Sequence, residues 1–417
     1  MDVAGELKEG LATDQPRASA EPAAEKFQAA RVITISAGHW IHDSYTAFLA
    51  PLLIIFKQNL GLTNAEAGLL SVFMQEASLA QPLIGGLADR FNVRFFVILA
   101  PAVTGVCMSL LGLSTNYWTL AIFLTIVGIS SACLHAVGPV LIGNVSGKQL
   151  GTGMSIWMVG GEAGRFFGPV VLATALPLLT LQHTPWLMIG GLITSVLLFF
   201  TLQDDPAARP RAKQKGLSLR QELAGKRKLV LVLVGFIIIH VFMSAALNTY
   251  LPLLMNSKGA TFTQASIAFA IYQAAGVLGA FLGGTLSDKL GRRVMLLAAI
   301  IPTTIFMFVL LGSLSQPTVA WARIPALLVL GFSSLSITPV VMALVQESFP
   351  KNRAMANGSY MALSFLIRSV VVVSLGGLGD RFGLSASFAV SAIVPLIGLP
   401  LLVFLPNRSQ QSGTSRA

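Results

Sequence analysis

Charged side chains are the first thing this sequence lacks. They make up 11% of its 417 residues, against roughly 25% in a typical soluble domain. Hydrophobic residues reach 54%, and the mean hydropathy is +0.75. That balance excludes an ordinary water-soluble domain. Cysteine is nearly absent: Cys107 and Cys133 both sit in apolar runs. A disulfide framework is thereby excluded, and the two read as small packing residues. No Gly-rich phosphate loop of the nucleotide-hydrolysing kind occurs, so neither an ATP-driven step nor enzymatic chemistry is expected. The first thirty residues hold no apolar core, so they read as a polar tail and not as a cleavable signal peptide.

What the chain has instead is length in apolar runs. From Val32 onward it divides into twelve segments, each near the ~20 residues that cross a bilayer as a helix. They cover 32–56, 64–88, 94–114, 118–143, 150–176, 185–202, 229–255, 263–286, 294–314, 323–346, 354–377 and 384–405. Barrel strands would instead alternate over ~10 residues. The expected fold is an all-α integral membrane protein with twelve transmembrane helices in two six-helix bundles, 31–202 and 229–406. A tail of residues 1–30, a polar linker at 203–228 and a tail at 407–417 complete the chain. The linker is either flexible or a short helix on an anionic lipid surface.

The net charge of +11 has a topological explanation. Arg90, Arg94, Lys148, the linker cluster, Lys289, Arg292, Arg293, Lys351 and Arg353 all fall in alternate connections. The other connections hold only Lys57, Lys258, Arg323 and Arg381. The positive-inside rule then places both termini in the cytoplasm, and no nucleic-acid partner is needed to explain the charge.

The two halves repeat one another. "FLAPLLI" (Phe48–Ile54) returns as "TYLPLLM" (Thr249–Met255), "LTNAEAG" as "FTQASIA", and "GGLADRFNVR" as "GGTLSDKLGRR". Repeated halves of this kind place a substrate near the midplane between them and let the halves rock about it.

The last of these pairs resembles the two loop-motif copies of the major facilitator superfamily, between helices 2 and 3 and between helices 8 and 9. Asn92 stands where one copy usually has Gly. The resemblance spans roughly 31–406 and implies a gating role for Gly86, Asp89, Arg90, Gly284, Asp288 and Arg292. In such a loop Gly lets helices approach, while Asp caps a helix and pairs with Arg. "HDSYTAFLAPLL", "SLAQPLIGGLADR", the run from Ser130 to Pro169 and "LVQESFP" are similar to the fosmidomycin-resistance branch of that family. That branch implies a proton-driven exporter in a bacterial inner membrane. Ala136 and Val137 replace the Pro-Glu usual after the helix 4 histidine, and Glu162 replaces a neutral residue.

Ionisable residues inside a span are costly and are functional candidates by default. His39, His42 and Asp43 share one face of the first span, with Tyr45 beside them. Glu76 lies in the second span, His135 in the fourth, and His240 and Asn248 in the seventh. Asp43, Glu76 and Glu162 are the candidate proton carriers. His39, His135, His240, Asn248 and Tyr45 are candidates for the substrate cavity. A metal reading of His39, His42 and Asp43 is weak without cysteine, and no metal or cofactor is expected.

In the fifth span Glu162 and Arg165 lie one turn apart, followed by Gly164-x-x-x-Gly168-Pro169. Arg368 occupies the matching depth of the eleventh span, while Phe365 stands where Glu162 would recur. Two arginines, one per half, suit an anionic substrate. The alternative is that Glu162 neutralises Arg165 and Arg368 snorkels.

The expected function is proton-coupled efflux of a small organic compound by a monomer in a lipid bilayer. An uptake symporter for organic anions or sugar phosphates is the second reading, and a non-transporting sensor the third.

Overall fold

The computed structural model describes residues 27–81, 84, 94–147, 149–202, 225–349 and 353–405. Gly86, Asp89 and Arg90 and most of the linker lie outside them. Helices are the sole regular structure among the described residues, as hydrocarbon demands when no water is present to satisfy the backbone. The first half contains α1 (Ala29–Thr46), α2 (Leu49–Leu60), α3 (Asn64–Gln75), α4 (Arg94–Leu110), α5 (Tyr117–Val145), α6 (Leu150–Leu179) and α7 (Met188–Thr201). The second contains α8 (Arg227–Ala245), α9 (Leu251–Ser257), α10 (Phe262–Leu290), α11 (Arg292–Ser315), α12 (Arg323–Ser348), α13 (Arg353–Phe382) and α14 (Leu384–Ile397).

Among the described residues, 10 helical stretches are long and apolar enough to cross a membrane. Two of the twelve expected spans are not among them. The first is broken between α1 and α2, just ahead of Pro51, which has no N–H to donate and disrupts the preceding turn. The chain tightens there, with the Phe48 amide bonding the Tyr45 carbonyl at 3.0 Å. The other, 64–88, passes from α3 into a 3₁₀ turn at Glu76–Ala80 and then beyond the described residues.

The repeat seen in the sequence is a repeat of local devices. Pro252 stands where Pro51 does, behind a π-helical turn at Ala246–Tyr250. Each half then reverses through a left-handed glycine, Gly61 at φ +63 and Gly259 at φ +88. Each restarts with a capping box, Thr63 with Glu66 before α3 and Thr261 with Gln264 before α10.

Small residues set how closely helices approach. A Cβ added to Gly160, Gly164 or Gly168 of α6 would lie 2.6, 2.4 and 2.1 Å from the carbonyl oxygens of Ser36, Trp40 and Ser44. One glycine per turn thus meets one turn of α1, and the two backbones touch. Gly279 and Gly283 of α10 press in the same way on Phe332 and Ser336 of α12. Across the divide between halves, α6 packs on α10 and α3 on α13.

Trp118, Trp186 and Trp321 are exposed, each near the helix ends that also carry the Gly61 and Gly259 turns. Their grouping at one end is that of an interfacial aromatic belt. At this turn end the halves are joined. Asp380 of α13 accepts the Asn64 and Ala65 amides at 2.6 and 3.0 Å, capping α3 across the divide. Gln58 donates to Asn256 at 3.2 Å, and the Tyr250 hydroxyl lies 2.7 Å from the Val372 carbonyl and 3.2 Å from that of Asn64.

The second copy of the loop motif works within its own half. Arg292 holds Asp288 at 2.6 Å and Glu347 of α12 at 2.7 Å, so it ties α10 to α12. Gly284 does not serve a close approach, since a Cβ there meets nothing within 4 Å. The tight position is Gly283, 2.7 Å from the Ser336 carbonyl oxygen.

Candidate functional site

A cavity of about 370 Å³ lies between the halves. Asp43, Gln75, His135 and Arg165 reach it from the first half, and His240, Asn248, Gln273 and Arg368 from the second. Its wall therefore needs both repeats.

The first-half side is a dense ionic cluster. Asp43 is 3% exposed and sits between α1 and α6 because the glycine ladder draws those helices together. Arg165 reaches it through Nε at 3.4 Å and reaches Glu162 through a terminal nitrogen at 3.2 Å. One guanidinium thus serves two carboxylates. The choice left open by the sequence is settled in part: Glu162 does pair with Arg165, and Asp43 shares the same partner.

Three imidazoles crowd the far side of Asp43. His39 Nε2 lies 3.4 Å from one carboxylate oxygen, and His135 Nε2 and His42 Nε2 lie 3.8 and 4.0 Å from the other. His39 stacks on Trp157 at 3.9 Å between ring centres. Its Nδ1 bonds the Trp157 carbonyl at 2.9 Å, and His135 Nδ1 bonds the Ser131 carbonyl at 2.8 Å. His42 Nδ1 meets the Thr104 hydroxyl at 3.0 Å. Of the three, only His135 lines the cavity; His39 and His42 stand behind Asp43.

The second-half side is sparse in charge. Arg368 lines the cavity, and among the described residues it has no hydrogen bond or ion pair; its Nε is buried without a partner. It does not snorkel. His240 also lines the wall, with a buried Nε2 lacking a hydrogen-bond partner. Asn248 lies in the π turn and donates to the Ser244 carbonyl at 2.8 Å.

Two sequence candidates fall elsewhere. The Tyr45 hydroxyl donates to the Leu187 carbonyl and accepts the Gly191 amide at 3.0 Å, so it fastens α1 to α7 away from the cavity. Glu76 opens the 3₁₀ turn and is exposed, while its neighbour Gln75 takes the place on the wall. A helix advances about 100° per residue, so adjacency in sequence does not transfer to adjacency at the site. Gln273 escapes a reading by charge altogether. It is buried with an unpartnered Oε1, and its match to Gln75 in the repeat is the available signal.

The sequence profile of the Major Facilitator Superfamily matches residues 35–259 and 235–417. The chain is 23% identical over 378 residues to the fosmidomycin resistance protein of Escherichia coli K12, covering 89% of this chain and 92% of that one. It is 24% identical over 386 residues to YfnC of Bacillus subtilis, an uncharacterized MFS-type transporter, covering 90% and 92%. Its fold is similar to an inward-facing, occupied bacterial homologue of the human lysosomal transporter Spinster. That match has a TM-score of 0.73 and 15% identity, covering 91% and 97% of the two chains. The nucleoside transporter NupG matches with a TM-score of 0.71 and 14% identity, covering 90% and 98%. These relatives are transporters and not enzymes, and they are multi-pass membrane proteins.

Proposed function

Since the chain belongs to the major facilitator superfamily, we propose that it is a proton-coupled transporter of a small organic anion, working by alternating access. The observation that carries this reading is Arg368, a guanidinium in the cavity wall with no anionic partner among the described residues. A buried charge without a partner is strongly unfavourable. A carboxylate, phosphate or phosphonate supplies the partner, and the planar fork of arginine favours such groups. The similarity to a fosmidomycin resistance protein supports the export direction. The distribution of Lys and Arg supports cytoplasmic termini in a bacterial inner membrane.

Arg165 links the anion to the proton. While Asp43 and Glu162 are both ionised, they hold its guanidinium. A proton on either carboxylate releases Arg165 toward the cavity, where it joins Arg368 as a second anion contact. This gives alternating access a coupling device, because two opposing cationic groups receive the anion only when the proton is present.

That sequence of events favours a second reading. If the proton promotes anion binding, the two travel together, as in a symporter. Proteoliposomes loaded with a candidate anion separate the possibilities. Export by antiport is stimulated by a proton gradient running against the anion. Symport is stimulated by a gradient in the same direction. Flux indifferent to a collapsed gradient removes proton coupling, and transport restricted to cationic compounds removes the anion assignment.

A further inference from the structure

We propose that His39, His135 and Asp43 form a binding site for a divalent transition-metal ion. A carbonyl oxygen can only accept, so the contacts to the Trp157 and Ser131 carbonyls place the protons of His39 and His135 on Nδ1. His42 follows by elimination. Ser130 donates to the Ala100 carbonyl at 3.3 Å, so Thr104 donates to Ser130 at 3.2 Å and must accept from His42 Nδ1. In their neutral forms all three imidazoles would therefore turn an Nε2 lone pair toward the Asp43 carboxylate, itself an acceptor. His42 Nε2 is fully buried and has no hydrogen-bond partner. Such a convergence of acceptors calls for a cation.

Distance separates a metal ion from a proton. His39 Nε2 and His135 Nε2 are 3.3 Å apart, and they lie 3.4 Å from Oδ2 and 3.8 Å from Oδ1 of Asp43 respectively, so the carboxylate offers one oxygen to each. Charge-assisted hydrogen bonds are shorter, about 2.7–2.9 Å. A tetrahedron around an ion ~2.0–2.1 Å from each ligand has edges of roughly 3.3 Å. The ligand atoms of His39, Asp43 and His135 all lie within 4.8 Å of one another. The Nδ1 contacts to main-chain carbonyls are the outer-shell anchors that orient ligating histidines.

Chemistry narrows the ion. Two imidazoles and one carboxylate suit zinc, cobalt or nickel, whereas magnesium and calcium prefer oxygen alone. Asp43 and Glu162 against Arg165 leave one negative charge for the ion to balance. Asp43 and His135 open onto the cavity, so the fourth coordination position faces it. The site itself does not depend on the anion reading.

The test is a titration of metal-free, untagged, full-length protein in detergent with Co²⁺, whose tetrahedral complexes absorb strongly in the visible. One equivalent is expected to bind with tetrahedral bands and to be displaced by Zn²⁺. His39→Gln and His135→Gln should each weaken binding by more than about 100-fold, beyond the usual cost of losing an outer-shell contact. His183→Gln, outside the cluster, should leave it unchanged. Thermal unfolding checks each variant; if His39→Gln fails to fold, His135→Gln decides, since its side chain is 28% exposed at the wall. A wild-type protein that takes up neither Co²⁺ nor Zn²⁺ stoichiometrically overturns the proposal and leaves a proton as the cation. Binding that survives His135→Gln overturns it too. Neither result bears on anion flux, which is measured separately.

Discussion

The two halves of the molecule carry the same scaffold and opposite electrostatics. His39 and His240 stand at matching places on α1 and α8, as do Arg165 and Arg368 on α6 and α13. Around them the residues diverge: Asp43 is answered by Ser244, and Glu162 by Phe365. The packing diverges as well. Where α6 has Gly160, Gly164 and Gly168, α13 has Leu363, Ile367 and Val371. Glycine brings α6 onto the α1 backbone, so Arg165 reaches Asp43. Branched side chains on α13 forbid the same approach to α8, and Ser244 would offer no charge in any case. One arginine is thereby built into a network, and the other is left to a ligand. In a duplicated bundle, the width of one helix interface thus decides whether a charge is structural or available.

The largest effect is expected from breaking the networked side. Arg165→Gln leaves Asp43 and Glu162 without their shared cation, and uncompensated buried charge costs about 3–5 kcal/mol. Both transport and the unfolding temperature should fall. Arg368→Gln should instead reduce anion affinity by about 100-fold, in keeping with loss of a buried charged contact, while the unfolding temperature holds or rises. Lys258→Gln, at the turn end, is the control and should change neither. Equal behaviour of the two arginine variants in stability would erase the contrast between the halves.

Exchanging packing between halves tests its cause. Gly164→Ile copies the residue at the matching place in α13 and puts a Cβ 2.4 Å from the Trp40 carbonyl oxygen. Overpacking of that kind costs about 1–3 kcal/mol, and it should free Arg165 from Asp43. Unfolding temperature and the Arg165-dependent part of anion affinity measure the two outcomes. The smallest effect is expected at Asp380, whose carboxylate caps α3 across the divide. Asp380→Asn removes a helix-terminus charge worth about 0.3–1 kcal/mol. The state closed at the turn end should lose up to about fivefold in population, read as faster labelling of a cysteine placed at Gln58.

Some of the site is legible in the sequence alone. Arg165 and Arg368 stand out because a charge inside a span is rare and the repeat pairs them. Asp43, His135, His240 and Asn248 are legible because polar and ionisable side chains are rare inside a span, and all four line the cavity. Glu76 and Tyr45 do not fall there, because their rotation about the helix axis, which polarity alone does not report, turns them away. The pairing of Arg165 with Asp43 joins residues more than a hundred positions apart and depends on how closely two backbones meet. The metal-ligand geometry depends on the same approach, since His135 comes from a third helix.

Hydropathy, periodicity and internal repetition are properties of the chain itself, so the sequence determined the membrane class, the helical segments, the doubled architecture and the identity of the buried charges. Rotation about each helix axis and the distance between helices are not written at any single position. They follow from glycines meeting carbonyls and prolines breaking turns across the whole bundle. Only the tertiary structure could therefore decide that Arg165 is shared by two carboxylates, that Arg368 has no such partner, and that three histidines face one aspartate.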